Sequence, residues 1–403
     1  MESRSTSLRS SRPLCQQSAS RPSLPKSDPR GPKAFRRVAS TAVVIVFCSA
    51  GLRPSASFAY DLSPQGTALE QSVARRYYNW WEDLVAKLVE RGLPHFKQPV
   101  HEEITQRILG CNGDPDLCGN PDAGFASAYV IAGVRWNDDP PFRLEQDEGR
   151  GTSCKVTETI RFTTQPKCWY ELFSDAKKKA ASGEKLDAKS RTSLLGRSHF
   201  GDLQFIHAMA SADGEPANVT KEKIMTWAEF TWNVATGQVG LDAKLRDAKP
   251  ASLKTFFGNT EWTVQDLFTL GNPALRRQIK EVALGSLLHM VEDSFAGGHA
   301  QRGETLNGKT CPGNSDHTHP GVIERFHSYG KQDPKKHSAY DARTAFSNHW
   351  TKSNPNVIDV GRTLVAYWEK GSPWIDVRAY VDCVFTLAND SEKAFAGAGF
   401  EKD

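Results

Sequence analysis

The sequence predicts an all-α protein: a single multi-helix domain with long, disulfide-held loops. Two observations favour this fold class. Apolar residues recur at helical spacing in several segments, and the chain has no βαβ alternation, internal repeat or glycine-rich phosphate loop. A composition of 38% hydrophobic and 24% charged residues excludes both a membrane bundle and a disordered chain.

The helices are predicted from their periodicity and from the residues that end them. The first, Ala68–Arg91, carries apolar residues at helical spacing and stops at Gly92-Leu93-Pro94. Only residues 142–170 have strand character. The other predicted helices are His101–Leu109, Ala123–Val134, Lys221–Ala235, Pro273–Ala296, Ala339–Asn348, Val357–Glu369 and Val377–Ala394. Nothing in the composition marks a second domain, so residues 60–403 are expected to form one domain.

Residues 1–59 are typical of an export signal that follows a disordered basic leader. The charged Phe35-Arg36-Arg37 precedes the apolar stretch Thr41–Leu52, and small residues lead to Ala59. We expect cleavage near Ala59 and a secreted or periplasmic domain; a retained anchor helix is the alternative. The leader carries ten Lys/Arg and two Asp/Glu, leaving 41 against 45 in the remainder. This balance gives no argument for a nucleic-acid-binding face.

Six cysteines lie beyond the leader, and an even number in an exported chain indicates disulfides. The short loop between Cys111 and Cys118 favours one bridge. A Thr-rich segment between Cys154 and Cys168 favours a second, which leaves Cys311 and Cys383 to pair. No CxxC spacing supports zinc thiolates instead.

Histidines paired with aspartates carry the strongest chemical signal. His289 and Asp293 are four residues apart, so on a helix they share one face, and Gly297-Gly298 lets His299 turn toward them. His337 and Asp341 repeat the spacing. One such pair is usually an ion pair on a helix surface, but two pairs in one chain favour a metal, and imidazole with carboxylate suits zinc.

Three further segments hold candidate ligands, and each also has an ordinary explanation. His101 lies at a helix start and could belong to an N-terminal cap. Asp138, or less suitably Asp139, follows a helix end and could form an Asx turn. His199 precedes a turn and could be a core histidine. Glu292, next to Asp293, is expected to be a bystander whose change to glutamine is nearly silent.

In order and spacing, these residues resemble the superfamily of zinc-dependent phospholipases C and single-strand-specific zinc nucleases, and more closely its bacterial phospholipase C branch. That family has an all-α fold with three zinc ions. The resemblance spans residues 101–341, where the matching positions are His101, Asp138, His199, His289, Asp293, His299, His337 and Asp341.

The resemblance implies how these ligands divide. One zinc would take Asp138, His199, His289 and Asp293, a second would take His299, His337 and Asp341, and a third would share Asp293 and take His101. Family members complete the third site with an N-terminal tryptophan, whereas here the expected terminus is Tyr60, 41 residues before His101. We therefore expect two to three zinc ions, with His95 and His207 as unranked candidates for the third site.

The resemblance also implies phosphodiester hydrolysis by a zinc-activated water, with Asp138 as the catalytic residue that orients or deprotonates it. The segments around His199 and His289 favour a phospholipase C that converts a phosphatidylcholine-like lipid at a membrane surface to diacylglycerol and a phosphorylated headgroup. Some of the ten tryptophans could bind choline or membrane, although core packing is their ordinary role. The alternatives are a single-strand nuclease or 3'-nucleotidase acting on nucleic acid, and a non-enzymatic zinc-binding protein. No stable protein partner is implied.

Overall fold

The computed structural model describes residues 62–64, 66–74, 98–306, 308–313, 319–350 and 355–402, all within the compact unit Arg53–Asp403. The predicted export signal, His95 and residues 75–91 of the first predicted helix lie outside the described residues. Among the described residues, none of the helices is long and apolar enough to cross a membrane.

Fourteen helices and one two-stranded sheet form the described part of the chain, which confirms the mostly helical prediction. Strands β1 (Ala300–Arg302) and β2 (Ile323–Phe326) pair antiparallel, with Ala300 opposite Phe326. The helices are α1 (Ala68–Ala74), α2 (Val100–Ile108), α3 (Pro115–Cys118), α4 (Ala128–Val134), α5 (Pro166–Ala181), α6 (Leu194–Phe200), α7 (Ala217–Ala235), α8 (Lys254–Phe257), α9 (Val264–Thr269), α10 (Ile279–Asp293), α11 (Pro334–Asp341), α12 (Arg343–Trp350), α13 (Val357–Glu369) and α14 (Trp374–Val384).

Local sequence explains where several helices begin. The Asn356 side chain accepts hydrogen bonds from the first-turn amides of α13, and the Asn356 backbone amide donates to the Asp359 carboxylate. The observed bounds of α13 are the predicted ones. Ser127 caps α4 in the same way by accepting from the amide of Val130.

Three predictions of secondary structure are wrong. Residues 142–170 form no strand: they contain an isolated bridge between Phe142 and Ile160, and helix α5 begins at Pro166. Extended residues need a partner strand to form a sheet, and this segment has none. The predicted helix Ala339–Asn348 is two helices, α11 and α12, separated by the extended backbone of Ala342. The predicted helix Val377–Ala394 ends at Val384, after which the chain runs beside β2.

All three predicted disulfides are present: Cys111–Cys118, Cys154–Cys168 and Cys311–Cys383. Structural disulfides of this number are typical of an oxidising, extracytosolic environment. The third one closes the longest loop, since its cysteines are 72 residues apart.

Helix α10 is the centre of the fold, and every residue from Val282 to Asp293 is buried. It crosses α4 at a pair of glycines. A Cβ atom on Gly285 would lie 2.1 Å from the Val130 carbonyl oxygen, and one on Gly133 would lie 2.1 Å from that of Val282. Only glycine allows this backbone contact, which brings the end of α4 against His289.

We expect Gly285→Ala to lower the free energy of unfolding by about 3 kcal/mol or more, because the added methyl group must push α4 and α10 apart. Urea unfolding followed by circular dichroism measures the change. Gly240→Ala is the matched control, since a Cβ there meets no atom within 4 Å. Equal stability of the two variants would show that the helices can separate without cost.

Candidate metal centre

The structure brings all eight predicted site residues into one buried cluster, and none of them is more than 6% exposed. The ligand atoms in the cluster, including one of His207, form four groups of three within 4.8 Å of one another. Three of these groups have residues in common with one another. The groups are His101/Asp138/His289, Asp138/His199/His207, His207/His289/Asp293 and His299/His337/Asp341.

Helix α10 supplies the centre of the cluster. The His289 Nδ1 atom lies 2.6 Å from the Val134 carbonyl oxygen, so it carries the proton and donates it. The other ring nitrogen, Nε2, therefore has a lone pair, and it lies 2.9 Å from Asp293 Oδ2. The glycine contact between α4 and α10 thus fixes the orientation of His289.

Asp138 projects from a rigid turn that follows α4. The Trp136 indole donates to the Leu267 carbonyl at 2.9 Å, and the Asn137 amide donates to the Ile206 carbonyl at 2.7 Å. These bonds hold the turn so that the Asp138 carboxylate lies 3.8–3.9 Å from ring nitrogens of His199, His207 and His289.

The neighbouring Asp139 faces away from the cluster. It accepts a hydrogen bond from the Phe162 amide at 2.7 Å and pairs with the Arg161 guanidinium at 3.2 Å. The preference for Asp138 over Asp139 as the site aspartate therefore agrees with where the two side chains lie.

His207 lies in the middle of the cluster, although the sequence left it as an unranked candidate. Its Nδ1 atom is 2.9 Å from Asp293 Oδ2 and 3.1 Å from His289 Nε2. The residue ends a short 3₁₀ turn, Gln204–His207, and Ala208 next to it has a left-handed φ of 51°. Such backbone strain in a residue other than glycine persists where the surroundings enforce it, often at functional sites.

We expect His207→Gln to weaken binding of at least one zinc ion by about 100-fold, because an amide is a poorer ligand than imidazole. Zinc content after dialysis against a weak chelator measures this. His327→Gln is the control, since His327 is also buried but bonds to the Gly298 carbonyl outside the cluster. If both variants retain zinc equally, His207 is a packing residue.

A second part of the cluster joins His299 to helix α11. His337 Nε2 lies 3.0 Å from Asp341 Oδ2, one helical turn away, and His299 Nδ1 donates to the His207 carbonyl at 2.6 Å. Glycine is required at position 298, where the chain passes the His337 ring, because a Cβ atom there would lie 2.9 Å from that ring. His299 Nδ1 is also 3.6 Å from Asp293, so the two parts adjoin.

His101 reaches the cluster from helix α2. Its Nε2 atom lies 3.3 Å from Asp293 Oδ1, and its Nδ1 atom lies 2.6 Å from Glu292 Oε2. Glu292 is fully buried and contacts His101, which argues against a bystander role; the effect of Glu292→Gln stays a prediction. The sequence shows that Glu292 is next to Asp293, but it does not show that helix α2 packs against the side of α10 that carries Glu292.

Burial sets the protonation of the cluster. It lowers the pKa of His101 to about 4 and those of His199 and His289 to about 3, so these imidazoles are neutral at physiological pH. Burial also raises the pKa of Asp293 to about 7 and that of Asp138 well above its usual range. Buried carboxylates of this kind need a cation to be stable in the charged form.

The ring orientations show where that cation belongs. In five histidines, Nδ1 bonds to an oxygen that is not one of the candidate ligand atoms, which leaves the Nε2 lone pair directed inward; they are His101, His199, His289, His299 and His337. Lone pairs of nitrogen and carboxylate oxygen then face each other at 2.9 Å for His289–Asp293 and 3.0 Å for His337–Asp341. Two acceptors at this distance repel each other unless a proton or a metal cation lies between them.

The donor set fits a divalent metal such as zinc. Ligands held tetrahedrally at about 2.0–2.1 Å are about 3.4 Å apart, within the spread of distances observed here. His207 Nε2 and His299 Nε2 have no hydrogen-bond partner among the described residues, and both rings line a small cavity. Gln204, Met209 and Tyr329 also line this cavity, which has a volume of about 10 Å³.

Two other candidates do not contribute. Cys311, His319 and Cys383 also lie together, but the two cysteines form a disulfide and cannot act as thiolate ligands. The possible choline-binding role of tryptophan gains no support, because the described tryptophans are buried or half-buried and none lines the cavity.

No protein-family model, curated protein or solved structure matches this chain. The interpretation of the cluster as a candidate metal centre therefore comes from the geometry of its own residues.

Proposed function

We propose that this protein is a secreted zinc-dependent phosphodiesterase, a phospholipase C that acts on phosphatidylcholine-like lipids at a membrane surface. The observation that carries the proposal is the inward orientation of five imidazole lone pairs toward buried carboxylates. The order of these residues along the chain, which resembles the zinc-dependent phospholipase C superfamily, supports the same function.

We assign the ions as the resemblance implies, with one addition. Asp293 would bridge two ions, since Oδ2 lies near His289 and His207 while Oδ1 lies near His101. His207 is added to the first ion's ligands. The resulting sets are Asp138/His199/His207/His289/Asp293, then His299/His337/Asp341, and then His101 with Asp293.

The third set gains support from the segment that precedes α1. The Ser63 amide donates to Glu102 Oε1 at 2.9 Å, and the Arg135 guanidinium binds both Ser63 and Glu102. Ser63 is therefore held beside Glu102, the residue that follows His101, although the two positions are 39 apart in the sequence. A terminus created by cleavage after Ala59 would begin three residues before Ser63 in the sequence, so we propose it as a source of further ligands for the third ion.

Bound zinc ions would supply Lewis acidity toward the phosphate oxygens and a water of lowered pKa at neutral pH. The protein supplies position and a dry environment. The turn after α4 holds the Asp138 carboxylate, which we assign to orient the attacking water and accept its proton. Because every cluster residue is nearly fully buried, bulk water is excluded, and charge interactions in the site are strengthened.

Phospholipid is favoured over nucleic acid by the sequence around His199 and His289 and by the slightly acidic composition beyond the leader. The export proposed from the leader agrees with the three disulfides.

The test compares two substrates with the zinc-loaded chain from residue 60 onward: phosphatidylcholine micelles and single-stranded DNA, each with and without chelator. We expect chelator-sensitive release of phosphocholine and no release of nucleotides. Nucleotide release alone would instead assign the protein to the nuclease branch, and activity on neither would reject both substrate classes.

A further inference from the structure

One histidine of the cluster differs from the others in its Nδ1 partner. Four imidazoles donate from Nδ1 to neutral oxygens: His199 to Leu195, His289 to Val134, His299 to His207, and His337 to the amide of Gln332. His101 alone among these five has a carboxylate there, Glu292, at 2.6 Å. A carboxylate partner makes an imidazole a stronger ligand than a neutral partner does.

Glu292 is placed to act on His101 and not to bind metal itself. Its Oε2 atom accepts from His101, and its Oε1 atom accepts from the Thr105 hydroxyl at 2.7 Å. Both partners lie on α2, one helical turn apart, and all three side chains are fully buried. In contrast, Asp293 Oδ1 has no hydrogen-bond partner among the described residues.

The His101 ring is consequently held between two consecutive residues of α10. Glu292 binds its Nδ1 side, and Asp293 lies 3.3 Å from its Nε2 side. The ring also stacks on His289, with centroids 3.9 Å apart and planes inclined by 21°. This arrangement leaves His101 one orientation, with the Nε2 lone pair directed at Asp293.

We propose that Glu292 is a positioning residue for the metal ion at His101, which it serves by fixing the ring through its hydrogen bond to Nδ1. This inference rests on the proposed metal centre. Burial raises the pKa of Glu292 to about 8, and a divalent ion between His101 and Asp293 would favour its ionised form. Such an ion would then be balanced by two carboxylates, Asp293 as ligand and Glu292 through the imidazole. Glu292 thus acts on the third ion and not on the ions at His199 or His337.

The test is Glu292→Gln, which keeps the shape of the side chain and one acceptor oxygen but removes its charge. In the purified secreted protein, we expect one zinc ion to bind about 10- to 100-fold more weakly, with the other ions at wild-type affinity. Competition with a chromophoric chelator measures the stepwise affinities. With cobalt in place of zinc, the visible absorption of only that ion should change.

Glu103→Gln is the matched control. Glu103 is equally buried on α2, but it pairs with Arg107 and Arg343, so its loss should lower stability and leave all metal affinities unchanged. Thr105→Val is the second variant, which keeps the Glu292 charge and removes its hydroxyl anchor. We expect it to weaken the same ion to a smaller extent, which keeps the proposal testable if Glu292→Gln fails to fold.

Two results overturn the inference. If Glu292→Gln binds every ion as the wild type does, or weakens all ions equally, the Glu292–His101 pair is only structural. If the wild-type protein binds no zinc at all, the proposed metal centre is wrong as well, which separates the two failures.

Discussion

We expect Asp293→Asn to remove zinc and the proposed phosphodiesterase activity together, with kcat/KM lowered by about 10³-fold or more, as for the loss of one member of a catalytic unit. Asp293 is the hub of the cluster, because its two oxygens lie within 3.6 Å of nitrogens from His101, His207, His289 and His299. An asparagine oxygen is neutral, and the amide cannot bridge two ions. Metal analysis and phosphocholine release measure the two losses.

Asp266→Asn is the control for this variant. Asp266 completes the capping box of α9, so its replacement should lower stability slightly without changing zinc content. If Asp293→Asn retained full zinc content and activity, Asp293 would not be a ligand, and the ion assignment would have to be abandoned.

Asp138→Asn and Asp139→Asn should have opposite effects on the stability of the metal-free protein, although the two aspartates are neighbours and both are fully buried. Asp138→Asn should lower activity by about 10³-fold or more and should raise the stability of the metal-free protein. The reason lies in its pKa, which burial and the nearby Asp293 raise well above the usual range. A carboxyl whose pKa is raised by folding opposes folding as pH rises above its unfolded pKa, and at neutral pH a neutral asparagine avoids this cost.

Burial raises the pKa of Asp139 as well, but this carboxylate is paired with the buried Arg161 guanidinium at 3.2 Å. Asp139→Asn should therefore keep its zinc and lower the free energy of unfolding by about 3 kcal/mol, because it breaks that buried pair. Urea unfolding of the chelator-treated variants provides both stabilities. Destabilisation of the metal-free protein by both substitutions would argue that Asp138 is a structural carboxylate.

Much of the fold follows from local sequence. The helix Val357–Glu369 was predicted with its observed bounds because a capping box and an amphipathic pattern coincide there. Two of the disulfides followed from short cysteine spacings, and the third, Cys311–Cys383, followed by elimination. Strands β1 and β2 were not predicted, since each is only three or four residues long and its partner is more than 20 residues away.

The site was only partly predictable for a similar reason. His289 and Asp293 share a helix, so their proximity depends on helix geometry alone. His207 and Glu292 gave no such local signal. His207 reaches the cluster through a 3₁₀ turn held by distant residues, and Glu292 has a role only because α2 packs against a second side of α10.

The central claim is that this buried cluster is a zinc centre, and diffraction from crystals of the zinc-loaded protein at the zinc absorption edge tests it most directly. We predict two to three anomalous peaks, one at about 2.0–2.2 Å from an Asp293 oxygen and one at that distance from His299, His337 and Asp341. Crystals of zinc-loaded protein with no peak among these residues would contradict the account.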